Sequence, residues 1–277
     1  MNLHAKRPPL LTIRNHTPWR IQLAELWHYR ELFGFLVWRD IKIHYSQLAL
    51  GVLWVILQPM LTMAAFTLFF GRLAPLAASN VPYSLYVLCG LLPWIFFANG
   101  FNLASASLAL ETQLIKKVYF PRALIPLAKI FGGLLDLAIG WLLLSLWASA
   151  YGYLPTWRWM LLPMALLQLL LAVCGVSLLF AALNTLYRDI KHVATFLIQL
   201  WMFASPVVYP LTLIPKEWQL YYAFNPMVLP IEAFRWIVLG ETGLTIGCAA
   251  LSAFSAYNLL LGGWLYFSRV QQRFADI

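Results

Sequence analysis

The sequence predicts an all-α integral membrane protein: six transmembrane helices, an N-terminal amphipathic interfacial helix, and external re-entrant half-helices between spans five and six. Three observations lead there. Of the 277 residues, 62% are hydrophobic and only 10% are charged, whereas a soluble domain carries about 45–50% apolar and about 25% charged residues. The apolar residues gather in runs of roughly 20, the length a helix needs to cross a hydrocarbon core of ~30 Å. The net charge of +9 sits in short segments between those runs, the pattern of membrane loops and not of a nucleic-acid surface.

Residues 1–20 read as a cytoplasmic tail. They contain Lys6, Arg7, Pro8, Pro9, Arg14 and Arg20 but no apolar core of a signal peptide, so no cleavable leader is expected and insertion should begin at the first span. Residues 21–45 read as an amphipathic helix along the interface. On a helical wheel Leu23, Leu26, Trp27, Phe33, Val37 and Trp38 fall on one side, with Glu25, His28, Glu31, Arg39, Asp40 and Lys42 on the other. Arg30 interrupts this pattern, and Gly34 is a place to bend. The simpler role, orienting the first span, is equally open.

Residues 46–277 read as one six-span domain. Lipid offers the backbone no hydrogen-bond partner, so each apolar run must be helical. Spans are expected near 51–71, 84–105, 127–150, 160–183, 193–211 and 244–267. The first carries no charge and the third holds one acid, Asp136. The fifth is short, and Pro206 and Pro210 interrupt its far end. With the N-terminus in the cytoplasm, only Arg72, Arg158, Lys216 and Arg235 among the Lys and Arg residues fall outside. The positive-inside rule therefore selects two cytoplasmic termini.

Two connections stand apart. Residues 106–126, with Glu111, Lys116, Lys117 and Arg122, are either a solvated basic loop or a short helix that docks on a soluble partner. Residues 212–241 carry Trp218, Tyr221, Tyr222, Phe224 and Trp236 and are cut by Pro215, Pro226 and Pro230. Too aromatic for a loop and too short to span, they suit half-helices dipping into the outer leaflet. Glu232 and Arg235, three apart, are placed to pair on one helical face.

Several chemistries find no footing. There is no phosphate-binding G-x-x-x-x-G-K-[ST] loop, no H-E-x-x-H and no G-x-S-x-G. Cys89, Cys174 and Cys248 lie singly in apolar runs and read as small core residues; no metal site is expected. His4, His16, His28, His44 and His192 are scattered and read as interfacial or solvated. Asp136 reads either as a proton or gating site or as an acid satisfied by Lys129 or by a neighbouring helix. One acid is too little to drive transport, so energy should come from another subunit.

A resemblance sharpens this. The run Trp38-Arg39-Asp40-Ile41-Lys42-Ile43-His44-Tyr45, followed by Leu50-Gly51-x-x-Trp54-x-x-x-x-Pro59, resembles the opening of polysaccharide-exporting ABC-2 permeases. Leu114-Ile115-Lys116-Lys117-Val118-Tyr119-Phe120-Pro121 with Pro126, Tyr187-Arg188-Asp189-Ile190, Ser205-Pro206-Val207-Val208-Tyr209 and Phe224-Asn225-Pro226-Met227 resemble later stretches in the same order. The resemblance covers the chain from about residue 20 onward. It implies a homodimer in the bacterial inner (cytoplasmic) membrane, each copy docked to an ATP-binding cassette subunit that holds the ATP and magnesium. This chain itself would bind no cofactor. The channel would carry a lipid-linked, O-antigen-like polysaccharide. Arg39, Asp40 and Tyr45 would belong to a gate helix near the lipid head group. Glu111, Lys116, Lys117, Arg122, Arg188, Asp189 and Lys191 would meet the ATPases, and Trp218, Tyr222, Glu232 and Arg235 would lie on the external half-helices.

Physical chemistry is consistent with that cargo. An aromatic, uncharged wall suits sugar rings, and Trp54, Gln58, Phe66 and Phe69 in the first span are candidates, with helix packing or lipid contact the alternative for each. Two other classes stand beside the exporter. A membrane-embedded glycosyl- or acyltransferase needs positioned external acids, of which only Glu217, Glu232 and Glu241 exist. A secondary transporter would show inverted repeats, and the halves have no evident self-similarity.

Overall fold

The computed structural model describes residues 25–46, 52–71, 81–187 and 189–271, and every regular element among them is helical. A turn of helix at 25–28 leads into α1 (Arg30–Ser46). Then come α2 (Val52–Phe70), α3 (Tyr83–Leu110), α4 (Thr112–Lys117), α5 (Leu124–Gly132) and α6 (Leu134–Ala150). A 3-10 turn at Trp157–Leu161 opens α7 (Leu162–Leu186). The chain ends in α8 (Ile190–Phe203), α9 (Lys216–Tyr222), α10 (Val228–Leu239) and α11 (Ile246–Val270).

The central pillar is α3. It has no charge over 28 residues and is hydrophobic all round, the signature of a helix with neighbours on every side. Those neighbours are α2, α5, α6, α7, α8 and α10. Phe97 meets Trp201 of α8 edge-on at 5.3 Å between ring centroids, and Phe101 meets Phe180 of α7 at 5.0 Å. Such pairs add about 0.5–1.5 kcal/mol beyond area burial. A second core lies at the other end of the bundle, where Leu36 of α1, Leu124 and Ile125 of α5, Leu178 of α7 and Phe267 of α11 pack together. The three cysteines are buried and free.

Among the described residues, five helical segments are long and apolar enough to cross a membrane: Leu53–Phe70, Tyr83–Leu110, Leu124–Ala150, Trp157–Leu186 and Ile246–Val270. The expected fifth span is the exception. It is helical only over the 14 residues Ile190–Phe203, about 21 Å at 1.5 Å per residue. The chain leaves the helix at Ala204 just before Pro206, whose ring disfavours helical geometry in the residue ahead of it. The third span is broken into α5 and α6 at Gly132 and Gly133. Of the expected loop helices, α4 falls in the 106–126 connection and α9 and α10 in 212–241. Unlike the exposed α9, α10 is almost wholly buried against α3 and α7.

The face assigned to the N-terminal helix needs correction. Leu26, Tyr29, Leu32, Phe33, Leu36 and Val37 are the apolar residues that pack inward, against α5. Trp27 and Trp38, grouped with Leu26, Phe33 and Val37 on the wheel, are instead largely exposed together with Phe35, and Arg39 and Asp40, grouped with the polar side, turn toward the protein. The wheel misplaced the face because the helix has two apolar sides. The outer one mixes these aromatics with Glu31 and Lys42, as befits a membrane–water boundary. Leu23 lies outside the described residues.

The tightest crossing is between α7 and α11. A Cβ on Gly263 would collide with the carbonyl oxygen of Gly175, and one on Gly175 would stand 2.5 Å from the backbone nitrogen of Leu260. Small residues at such crossings let backbones approach in membrane bundles. Next door, a Cβ on Gly262 would meet nothing within 4 Å. Gly263→Ala is therefore expected to destabilise by about 1–3 kcal/mol, whereas Gly262→Ala should be neutral or stabilise by up to about 1 kcal/mol. Thermal melts in nanodiscs should fall for Gly263→Ala and stay level or rise for Gly262→Ala.

Candidate functional site

The α1–α5 end of the bundle carries a compact charge network. Arg39 Nη2 donates to Glu111 Oε1 at 2.5 Å and to Asp40 Oδ1 at 2.9 Å, and Lys129 Nζ lies 3.0 Å from both Asp40 Oδ1 and Glu111 Oε1. Two acids and two bases from α1, the end of α3 and α5 thus cancel locally. Burial alone would raise the Glu111 carboxyl, but hydrogen bonds from Arg39 and Lys129 outweigh it and hold the group below its ordinary value. Burial likewise works against the Arg39 charge, and Glu111 and Asp40 more than offset it.

One turn further along α1, Tyr45 Oη donates to Asp136 Oδ1 at 2.5 Å and His44 Nε2 lies 3.5 Å from Asp136 Oδ2. Burial, then this bond, raises the Tyr45 phenol and keeps it a neutral donor. Asp136 is thus satisfied by a neighbouring helix, the second of the two partners expected for it, while Lys129 serves Asp40 and Glu111.

Between these two attachments a cavity of about 540 Å³ opens against α2, α3 and the α5–α6 break, a size typical of small-ligand sites. Asp40, His44 and Tyr45 line it from α1, Trp54 and Gln58 from α2, Asn99 and Asn102 from α3, and Lys129 and Asp136 from the third span. Pro59 also lines it and has no N–H to give the carbonyl of Val55, another wall residue.

Of the first-span candidates, Trp54 and Gln58 reach the cavity, while Phe66 and Phe69 do not. Phe66 packs on the core and against Phe70, and Phe69 is exposed. Their positions follow from helical geometry, since eight or more residues beyond Gln58 put them over two turns away. Asn99 and Asn102 escaped notice; two amides at i, i+3 in an apolar span were the available signal.

The other expected residues fall as follows. Lys116 and Lys117 are exposed on α4, as are Asp189 and Lys191 where α8 begins, and Arg188 lies outside the described residues. Arg122 donates to the backbone carbonyl of Gln271. The bond from Asn184 to the carbonyl of Ser105 ties the ends of α7 and α3 together, so these groups share the α1 end.

At the opposite end, Glu232 and Arg235 do pair, at 2.7 Å and almost completely buried. Arg235 also donates to the carbonyl of Val207 at 2.7 Å and lies 3.8 Å over the Tyr86 ring, while Glu232 accepts from Thr242 and the Gly243 amide. Tyr222 and Tyr209 share a hydroxyl contact of 2.8 Å, and Trp218 is exposed. Asn225 joins the segment after α8 to the start of α10. Its Oδ1 accepts from Trp201 Nε1 and the Met227 amide, and its Nδ2 donates to the Ala204 carbonyl and to Ser205 Oγ.

Two outcomes are expected. Because the folded-state pKa of Glu111 lies below its ordinary value of 4.5, its contribution is complete above that value and lost as pH falls through the lower one. Amide-exchange protection of Arg30–Ser46 should fall below that pH, and Glu111→Gln should cut it about tenfold at neutral pH. Arg235→Met strands a buried carboxylate and should cost about 3–5 kcal/mol, more than the double replacement Glu232→Gln, Arg235→Met. Chemical denaturation in detergent measures both.

Residues 31–239 match the family described as ABC-2 type transporter. The chain is 34% identical over 217 residues to the "O-antigen export system permease protein RfbA" of Myxococcus xanthus, covering 78% of this chain and 83% of that protein. It is 26% identical over 240 residues to the protein of the same name from Klebsiella pneumoniae, covering 86% and 92%. It is 24% identical over 233 residues to the "Polysialic acid transport protein KpsM" of Escherichia coli, covering 83% and 90%. With its apolar helices of spanning length, the chain is a multi-pass membrane protein and belongs to the ABC-2 type transporter family.

Proposed function

We propose that the protein is the membrane subunit of an ATP-driven exporter that moves a lipid-linked polysaccharide across the bacterial inner membrane. The observation that carries this reading is the cavity beneath α1, walled by Trp54, the side-chain amides of Gln58, Asn99 and Asn102, and the Tyr45 hydroxyl, with α1 forming one side. Aromatic faces with hydrogen-bonding groups around them are what sugar rings need. Similarity to relatives named for O-antigen export and polysialic acid transport supports the same cargo class.

Two copies would enclose the path, each bound to an ATPase subunit that holds ATP and magnesium, with both termini cytoplasmic. The exposed Lys116, Lys117, Asp189 and Lys191 lie at one end of the bundle, beside the helix that forms one side of the cavity. Force applied there reaches Glu111, which follows α3 directly and holds Arg39. The chain supplies no chemistry of its own. Glu232, the buried acid a transferase would recruit, is held by Arg235, Thr242 and Gly243.

The test is co-purification with a candidate ATPase subunit, with ATP hydrolysis measured in the presence and absence of this chain. A stable two-plus-two complex whose hydrolysis rises with lipid-linked glycan is the expected result. Absence of any association in nanodiscs overturns the reading.

A further inference from the structure

We infer that the cavity beneath α1 selects an uncharged sugar unit over an acidic one, an inference that rests on the export reading above. Asp40 carries it. Its Oδ1 receives Arg39 and Lys129, whereas Oδ2 is buried and has no hydrogen-bond partner. The Asp40 side chain is only 9% exposed, and the residue lines the cavity. A buried carboxylate oxygen without a donor is costly, so the occupant that completes this site brings an O–H or N–H to it. Asp136 differs in being partly exposed, at 31%: its Oδ1 takes the Tyr45 hydroxyl and His44 Nε2 lies 3.5 Å from its Oδ2, which leaves lone pairs for a further donor from the cavity.

The charge balance of the wall points the same way. Among the described residues lining the cavity there are two acids, Asp40 and Asp136, one permanently basic residue, Lys129, and one histidine. Lys129 is already shared between Asp40 and Glu111, and Arg39 behind it is held by the same two acids. Because Arg39 and Lys129 neutralise Asp40 and Glu111, a sugar bearing a carboxylate, sulfate or phosphate would face the Asp136 carboxylate and no uncommitted Lys or Arg. A neutral sugar presents hydroxyls to the carboxylates and to Asn99 and Asn102, and its apolar ring face to Trp54. The selection is therefore made by donors offered to acceptors, with repulsion rejecting anions.

The test uses the full chain in nanodiscs and saturation-transfer NMR with three probes: maltohexaose, a sialic acid oligomer of matched length, and inorganic pyrophosphate. The neutral oligomer is expected to bind at least about tenfold more tightly than either anion, the scale of one unit charge a few ångströms away at intermediate dielectric. Asp40→Asn and, separately, Asp136→Asn, which keeps an oxygen for Tyr45, should each narrow that preference several-fold. Equal or tighter binding of the sialic acid oligomer, or an unchanged preference in both variants, overturns the selectivity and leaves the export reading standing. If neither oligomer binds and neither lipid-linked form stimulates the partner ATPase, both fall.

Discussion

A polar side chain inside a bundle whose outer surface is apolar has to find its partner within the chain, because lipid supplies neither donor nor acceptor. Much of this fold is organised by that demand. Asn184 reaches the carbonyl of Ser105, Gln168 that of Ser252, and Arg235 that of Val207, each joining elements far apart in sequence. The apolar residues between them fix how closely helices pack but are permissive about register. The polar bonds choose one arrangement among the many that would bury the same area.

The two ends of the bundle meet the demand differently. At the α9–α10 end the charges form a sealed ion pair within one short helix, backed by the carbonyl of Val207 and the Tyr86 ring. At the α1 end they are shared among helices and remain partly accessible, with Arg39 and Lys129 bridging to Asp40 and Glu111. A sealed pair resists rearrangement, since separating it strands a charge in a dry interior. A partly wet network exchanges partners at much lower cost. Rigidity therefore sits at one end and adjustability at the other, beside the cavity and the Gly132–Gly133 break.

Length and composition made most of the fold legible. The segments Leu53–Phe70 and Tyr83–Leu110 follow from the thickness of hydrocarbon alone, and the Glu232–Arg235 pair from helical spacing. The fifth span was overestimated because hydropathy continues past Phe203, although the backbone cannot continue as helix into Pro206. The wheel put Trp27 and Trp38 on the same side as Phe33 and Val37, but these two residues are apolar enough for a core and polar enough for an interface, and only packing separates them. Within the cavity, Trp54 and Gln58 were foreseen, whereas the meeting of Lys129 with Glu111 and of Tyr45 with Asp136 joins residues distant in the chain, which no local pattern encodes.

Asn225 illustrates how narrow such a solution becomes. An amide offers two hydrogens and two principal acceptor directions, and here Trp201, Met227, Ala204 and Ser205 take up all four. No other side chain has that valence at that length. Aspartate lacks the hydrogens, leucine has neither function, and glutamine carries them one methylene too far out. The junction between α8 and α10 therefore tolerates a single letter of the amino-acid alphabet. Hydrolysis of that one amide to a carboxylate would exchange two donors for a charge, and Pro226, having no N–H to close a succinimide on Asn225, removes the fast route to that change.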